Sequence, residues 1–560
     1  MSVSPAELVG DQLSEDERRL LAPFVTDLDA PIFGLRNLPE VVKGALFSRY
    51  SRSDKSLRRM LLDEFISAPE SGFDAIVGGA AATDAAAQLV AVHQAEAFYE
   101  RVLIGYGDDS VAELGGAHIA CEGVSNIAAK ALEDSRIGIS PLEKSTRYVV
   151  FNRKVGGRYR YLRERRIMAS GHAARYEEAL DGLFDTYGAL LEPTIAYVRA
   201  RTPREPGTSE RAYASATRAK ACDLLRGLLP MATLTNVGLF GNGRAFEYLL
   251  TKLYAAPLAE LNELAGAMQR ALDSLIPSFV KRAKSERGRQ FQEYLRGARE
   301  RVARTIAERG LPIADPDEGT LQPADSSQSG VTLVDYDPHA EARVVAAILY
   351  PHVERPLADV VAAVERLPAE ERLALIRAYV GERASRFHRP GRAFEEPYYT
   401  FDLLADIGAY RDLQRHRLLT QERQRFGVLH GYVTPPELEE AGLARSYAEA
   451  IERAAAVCEA IGADMPEEAQ YAVPMAFRVR WRVRLNLREV YHLAELRSAP
   501  QGHPVYRRIA QEIYRQVAAV HPSLAEGMRF VDLGAYELER LDAERRLDAK
   551  IERLKGGRGG

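Results

Sequence analysis

The chain has 560 residues, more than one ordinary hydrophobic core accommodates, so two or more domains are expected. Hydrophobic residues make up 46% and charged residues 28%, the balance of a soluble globular protein. The formal net charge of −4 excludes a polycation drawn as a whole to nucleic acid or anionic lipid, so anion recognition must rest on local clusters.

The N-terminus, "MSVSPAELVGDQLSEDERRL", is acidic and lacks the apolar core of a signal peptide; residues 1–44 read as an N-terminal extension. The most apolar run, Ile76 to Val92, is interrupted by Asp84 and Gln88 and is too short for a bilayer, so a cytoplasmic protein with no membrane partner is expected. A first domain over 45–299 follows. In it, "SPLEKSTRYVVF" places Ser140, Glu143, Ser145 and Arg147 just before a short strand at "RYVVFN". Such a stretch is either a loop whose backbone N–H groups and arginine grip a phosphate or an ordinary turn into a strand. Arg153 to Arg166, "RKVGGRYRYLRERR", interleaves arginine with tyrosine as single-strand binders do, but it is short and the chain is net acidic, so nucleic acid is not an expected partner. Apolar spacing predicts a helix over Leu258–Val280. Cys121, Cys222 and Cys458 are far apart in sequence, and no metal-ligand spacing occurs; no metal site is expected.

The stretch 300–330, rich in Pro, Asp, Ser and Gly, reads as a linker, and "VTLVDYD" opens a second domain over 331–535 as a short strand. "YYTFDLLADIGAYRDL" reads as a helix leading into "QRHRLLTQERQRF", with Arg415, His416 and Arg417 adjacent. Adjacent helical residues point in different directions, so this cluster is either a solvated face or a socket for a long anionic ligand. Tyr447–Ile461 and Tyr506–Val520 carry helical apolar spacing. "NLREVYHLAELR" sets Asn486, Arg488, His492 and Arg497 on one helix, either as ligands of a cofactor or as a buried polar network. Residues 536–560 form a charged helix and tail. The nucleotide-binding P-loop, the Rossmann glycine fingerprint, the hydrolase nucleophile elbow and the zinc-protease helix motif are all missing.

The two domains are repeats. Shifting "LPMATLTNVGLFGNGRAFEYLLTKLY" by 244 residues lays it on "VPMAFRVRWRVRLNLREVYHLAELRS" without a gap, with Pro-Met-Ala on Pro-Met-Ala, Asn242 on Asn486 and Arg244 on Arg488. An offset of domain size marks a tandem duplication.

Taken together, "RHRLLT", "SPLEKSTRY", "RGLLP" and "NLREVYHLAELR" resemble the flavin-dependent thymidylate synthases, over roughly 45–285 and 331–525. The resemblance implies an α+β fold with two tandem domains, each a small mixed or antiparallel sheet packed with long helices. It implies reductive methylation of dUMP with FAD as cofactor and NADPH and methylenetetrahydrofolate as co-substrates. Arg415, His416, Arg417, Asn486, Arg488 and His492 would hold FAD; Glu143, Ser145, Arg147, Arg226, Arg415 and Arg497 would hold the nucleotide, with Arg497 stabilising the uracil anion as the catalytic residue. The departures are complementary. The first repeat has "DSR" (Asp134–Arg136) for "RHR" and Leu253 for the helix arginine, but keeps Glu143, Ser145, Arg147 and Arg226. The second keeps "RHR" and Arg497, but its "TQERQRF" is shortened and Gln470 replaces Arg226. In this family each site is shared between subunits, so one composite site made by both repeats, and a homodimer of pseudo-tetrameric symmetry, are expected.

Overall fold

The computed structural model describes residues 13–51, 53–67, 111–135, 137–310 and 330–556. The apolar run 76–92, most of the expected linker and Arg136 of "DSR" lie outside them. In the first repeat, β1 (Gly116–Ser125), β2 (Ile139–Glu143) and β3 (Leu234–Asn242) form a sheet ordered β1-β3-β2. In the second, β4 (Gly330–Tyr336), β5 (Tyr398–Asp406), β6 (Leu419–Arg423) and β7 (Arg478–Asn486) are ordered β4-β5-β7-β6, which is the same order with β4 added beyond β5. The β2–β3, β4–β5, β5–β7 and β6–β7 pairs are antiparallel. The 244-residue shift carries the first residue of β3 onto that of β7, and the helix Gly243–Tyr254 onto Leu487–Arg497. Asn242 and Asn486 cap these helices alike, accepting from the backbone N–H of Ala245 at 2.8 Å and of Glu489 at 2.9 Å. The chain is a tandem α+β protein.

It divides into two compact units. The first holds residues 1–122, 131–143 and 236–312, with the helices Gly243–Tyr254, Ala259–Asp273 and Glu286–Arg309. The helix expected over Leu258–Val280 is broken here. It stops at Asp273, and a new turn starts at Pro277, whose ring removes a donor and pushes Ile276 out of helical geometry (φ −139°, ψ 50°).

The second unit holds residues 123–130, 144–235 and 313–560, and so contains long segments of both repeats. Its helices include α1 (Ala173–Arg201), α2 (Glu210–Leu225), α3 (Ile407–Leu413) and α4 (Ala444–Asp464), with α1 packed on both α2 and α4. They also include α5 (Leu487–Arg497), packed on α6 (Pro504–Val520), and α7 (Leu541–Gly556), packed on α2. The repeats meet in a reciprocal ladder. Met231 N–H donates to Val473 O at 2.9 Å and Met475 N–H to Leu229 O at 3.0 Å; Ala232 N–H donates to Tyr471 O at 2.9 Å and Ala476 N–H to Gly227 O at 3.0 Å. The 244-residue shift converts each bond into its partner, which is the signature of an isologous interface, here closed within one chain. Gly227 is required at this crossing: a Cβ would stand 2.0 Å from the Tyr447 hydroxyl.

Two further expectations are corrected. "YYTFDLLAD" is strand β5, not helix: Tyr399, Phe401, Leu403 and Ala405 are buried with the period of two of a pleated strand. The helix starts only at Ile407, where the Asp406 carboxylate caps it by accepting from Ala409 N–H at 2.9 Å. "RYVVFN" is not a strand. The chain turns at Thr146–Tyr148, with Tyr148 N–H donating to Ser145 O, because the Arg147 side chain is pinned inward to α2. Among the described residues no helix is long and apolar enough to cross a membrane.

Candidate functional site

Within the second unit, the turn Lys144–Arg147, the short helix that begins at Arg226 after α2, and α3 with the residues just past it line a small pocket open to solvent. Its lining is Lys144, Ser145, Thr146, Arg147, Arg226, Gly408, Arg411, Asp412 and Arg415, so five cations surround one carboxylate. The first repeat supplies Lys144 to Arg226 and the second supplies Gly408 to Arg415.

Three of the five cations, Arg147, Arg226 and Arg411, are positioned by named partners. Arg147 is buried; its Nε donates to both Asp223 oxygens at 2.7 and 3.0 Å, its Nη2 adds a third contact at 2.5 Å, and its Nη1 reaches the Tyr506 hydroxyl at 3.3 Å. Such a forked pairing fixes the guanidinium plane. Arg226 is 4% exposed and donates through Nη1 to Asp412 at 3.1 Å, while its Nη2 finds no hydrogen-bond partner. Gly408 makes room for it: a Cβ there would stand 2.7 Å from Arg226 Nε. Arg411 donates to Thr146 Oγ1 at 3.3 Å, which joins α3 to the turn. Burial would raise the pKa of Asp412, but Arg226 first, then Arg415, Arg147 and Arg497, hold it well below the usual carboxylate range. Burial raises that of Asp406, whose Oδ2 has no partner.

Behind the pocket runs a hydrogen-bonded chain. Arg497 Nε donates to His416 Nε2 at 2.9 Å, so that nitrogen is the acceptor and the ring proton sits on Nδ1, which donates to Glu489 Oε1 at 2.6 Å. Burial pushes the Glu489 carboxyl up to about 7 and the half-buried His492 imidazole down to about 4. The Tyr506 ring lies between two guanidinium groups, with Arg497 at 5.7 Å and Arg147 at 5.9 Å from its centroid. Tyr506 therefore links the pocket arginine of the first repeat to the helix arginine of the second. His416, Glu489 and His492 bring three potential metal ligands within 4.8 Å of one another. Arg497 already occupies the outward nitrogen of His416, and it and Arg389 place positive charge against Glu489 and His492, so the cluster suits hydrogen bonding better than a cation.

Of the residues expected at a site, Ser145, Arg147, Arg226 and Arg415 line one pocket, and Arg497 joins it through Tyr506 and His416. Arg417 is exposed, two residues past Arg415. Asn486 spends its side-chain oxygen on the cap of α5. Arg488 turns away, donating to Pro390 O at 2.9 Å and to Glu395 at 3.3 Å. Glu143 ends β2 in the first unit. In the basic-aromatic segment, Arg163 pairs with Glu177 at 2.5 Å and Arg166 with Glu468, so part of its charge is spent inside the fold. Sequence reasoning missed Arg411, Asp412, Asp223, Glu489 and Tyr506. Arg411 and Asp412 carried a signal, lying one turn before "RHR" where helical spacing returns to the same face.

A family model described as thymidylate synthase complementing protein matches residues 69–278 and 332–523. A UPF0159 protein of Chlamydia pneumoniae is 44% identical over 532 residues, covering 95% of this chain and 97% of its own. A UPF0159 protein of Thermoplasma acidophilum is 33% identical over 537 residues, covering 91% and 99%. Among solved structures, a UMP/dUMP methylase of Streptomyces cacaoi bound with 5-Br dUMP is 20% identical, covering 36% of this chain and 94% of its own, with a TM-score of 0.30. With both repeats matched in chain order, the chain belongs to the thymidylate synthase complementing protein family.

Proposed function

We propose that the chain is a flavin-dependent thymidylate synthase acting in the cytoplasm, converting dUMP to dTMP at a site composed from its two repeats. The observation that carries this reading is the pocket in which Arg147 and Arg226 of the first repeat face Arg411 and Arg415 of the second around Asp412. With five cations against one lining carboxylate, the pocket has charge left over for a phosphate monoester dianion. Ser145, Arg147, Arg226 and Arg415 hold that phosphate and its sugar. Arg497, held in plane by His416 and Tyr506, lies against the uracil ring and stabilises negative charge at N3, which makes C5 nucleophilic.

FAD fits the exposed Arg415 and Arg417 and the half-buried His492; His416, Asn486 and Arg488 are committed to partners and support that surface from behind. Bound FAD would supply the hydride chemistry, with NADPH as reductant and methylenetetrahydrofolate as one-carbon donor. By resemblance to a family whose sites are shared between subunits, the proposed working assembly is a homodimer of pseudo-tetrameric symmetry. The test is the visible spectrum of the purified protein before and after FAD and then dUMP, followed by turnover with NADPH and methylenetetrahydrofolate. A flavin spectrum that shifts on adding dUMP, with dTMP formed, is expected. Bound flavin with reproducible absence of dTMP would favour a non-catalytic nucleotide-binding relative, and a related pyrimidine methylation would show as turnover of another uridylate.

A further inference from the structure

The pocket cations all come from the two family-matched segments, the second of which ends at 523. The chain beyond them returns to the same turn. Buried Glu539 accepts from Lys220 Nζ of α2 at 2.8 Å. Further on, Arg545 of α7 donates to Thr208 Oγ1 at 3.1 Å, and Glu544 pairs with Arg211 of α2 at 3.2 Å. Both anchors tie the tail to α2 and the residues just before it, and Arg540 lies between them in sequence.

Arg540 is 8% exposed, and its guanidinium carbon lies 3.9 Å from the centroid of the Tyr148 ring, the residue after pocket-lining Arg147. Its Nε and Nη1 are buried and have no hydrogen-bond partner among the described residues. A buried guanidinium with two unmet donors is costly, and a chain does not need it merely to cover an aromatic face, which a methionine or leucine would do. Asp223, the nearby carboxylate, is already gripped by Arg147. The spot is therefore electropositive and short of acceptors, which is the chemistry of a phosphate ligand.

We propose that Arg540, delivered to the Lys144–Tyr148 turn by the C-terminal tail, is a further ligand for the anionic group of the substrate. The tail is then part of the binding site and not an appendage. The inference rests on the dUMP reading above, and the experiment separates the two. Full-length wild type, R540M (which keeps the apolar stem over Tyr148 and drops the charge) and R540K are titrated calorimetrically with dUMP, with deoxyuridine and with inorganic phosphate. R540M is expected to weaken dUMP and phosphate about tenfold or more and to leave deoxyuridine within about twofold, with R540K recovering part of the loss. Equal loss for dUMP and deoxyuridine would mean that Arg540 only holds the turn, and no loss for dUMP or phosphate would equally overturn the proposal. A wild type that binds phosphate but not dUMP, with the phosphate lost in R540M, would keep the anion site and sink the dUMP reading; one that binds neither would sink both.

Discussion

Arg226→Gln installs at position 226 the residue that the second repeat carries at the equivalent position, Gln470. Gln470 is buried and satisfied, accepting from Phe426 N–H at 3.3 Å and donating to Glu467 O at 3.0 Å, so glutamine suits this corner of the fold. At 226 the change removes the guanidinium that bonds Asp412 at 3.1 Å, together with the buried Nη2 that makes no hydrogen bond and faces Asp406 only at 3.6 Å. A charge-assisted hydrogen bond is worth about 1.5–3 kcal/mol, so dUMP affinity should fall about 10- to 150-fold. Stability should fall too, by about 1–3 kcal/mol at neutral pH, because Asp412 loses its foremost counter-charge. The sign follows from linkage. A carboxyl whose folded pKa is depressed contributes stability above its unfolded pKa, and that contribution is lost as pH falls through the folded value. The deficit of R226Q should therefore be largest near neutrality and should shrink as pH drops below about 4. Calorimetric titration with dUMP and urea unfolding at several pH values check both parts. A folded R226Q that binds dUMP within twofold of wild type would refute the phosphate assignment. The reciprocal Q470R should leave dUMP binding unchanged.

Gly408→Ala places a Cβ 2.7 Å from Arg226 Nε and 2.8 Å from its Cζ, displacing the buried guanidinium from Asp412; dUMP affinity should fall about tenfold and the melting temperature should fall with it, the gain in helix propensity offsetting only part of the loss. Arg497→Ala should abolish dTMP formation in a turnover assay, whereas Lys252→Ala, whose ammonium rests 4.3 Å from the Tyr248 ring, should keep the full rate. Glu489→Gln tests the buried chain behind Arg497. A carboxyl raised from 4.5 to about 7 favours the folded state in acid and withdraws on the order of 3 kcal/mol of stability as pH rises through that window. Urea stability of wild type should decline between about pH 5 and 7, and E489Q should lose that decline.

The duplication was legible because identities at one offset survive where geometry demands them: Asn242 and Asn486 cap, and Pro230 and Pro474 cross. The arginines of the pocket were legible as motif residues. Their partners were not, because Asp223 and Tyr506 reach Arg147 from 76 and 359 residues away and neither sits in a pattern that announces a partner. Spacing placed Arg488 and His492 on one helical face, but only packing decides that Arg488 meets the 390s loop while His492 meets His416. β5 was misread as helix because its inward set is told apart by burial and not by residue type: Leu403 is buried while Leu404 is half-buried. Arg540 was hidden for the opposite reason. A charged tail reads as solvated, and nothing in "ELERLDAERRL" distinguishes the one arginine that turns inward.

The reciprocal ladder between Gly227–Ala232 and Tyr471–Ala476 gives the second unit a local twofold, and the sequence repeat supplies motif equivalents of Arg415, Arg226 and Arg497. Those equivalents have lost the chemistry. Asp134 stands for Arg415, which reverses the charge offered to an anion; Gln470 stands for Arg226; and Leu253, buried in apolar packing, stands for Arg497. Measured against Arg415, Arg226 and Arg497, these replacements exchange three guanidinium groups for a carboxylate, an amide and an alkyl chain, a loss of several kcal/mol toward a phosphate monoester. Calorimetric titration should thus return one dUMP per chain, and a Q470R variant should still return one, because Asp134 and Leu253 remain. Two sites per chain of similar affinity would refute the complementary loss. One site per chain would explain how the halves diverged: once joined in a single chain, each repeat needed to keep only the part of the composite site that its partner no longer supplied.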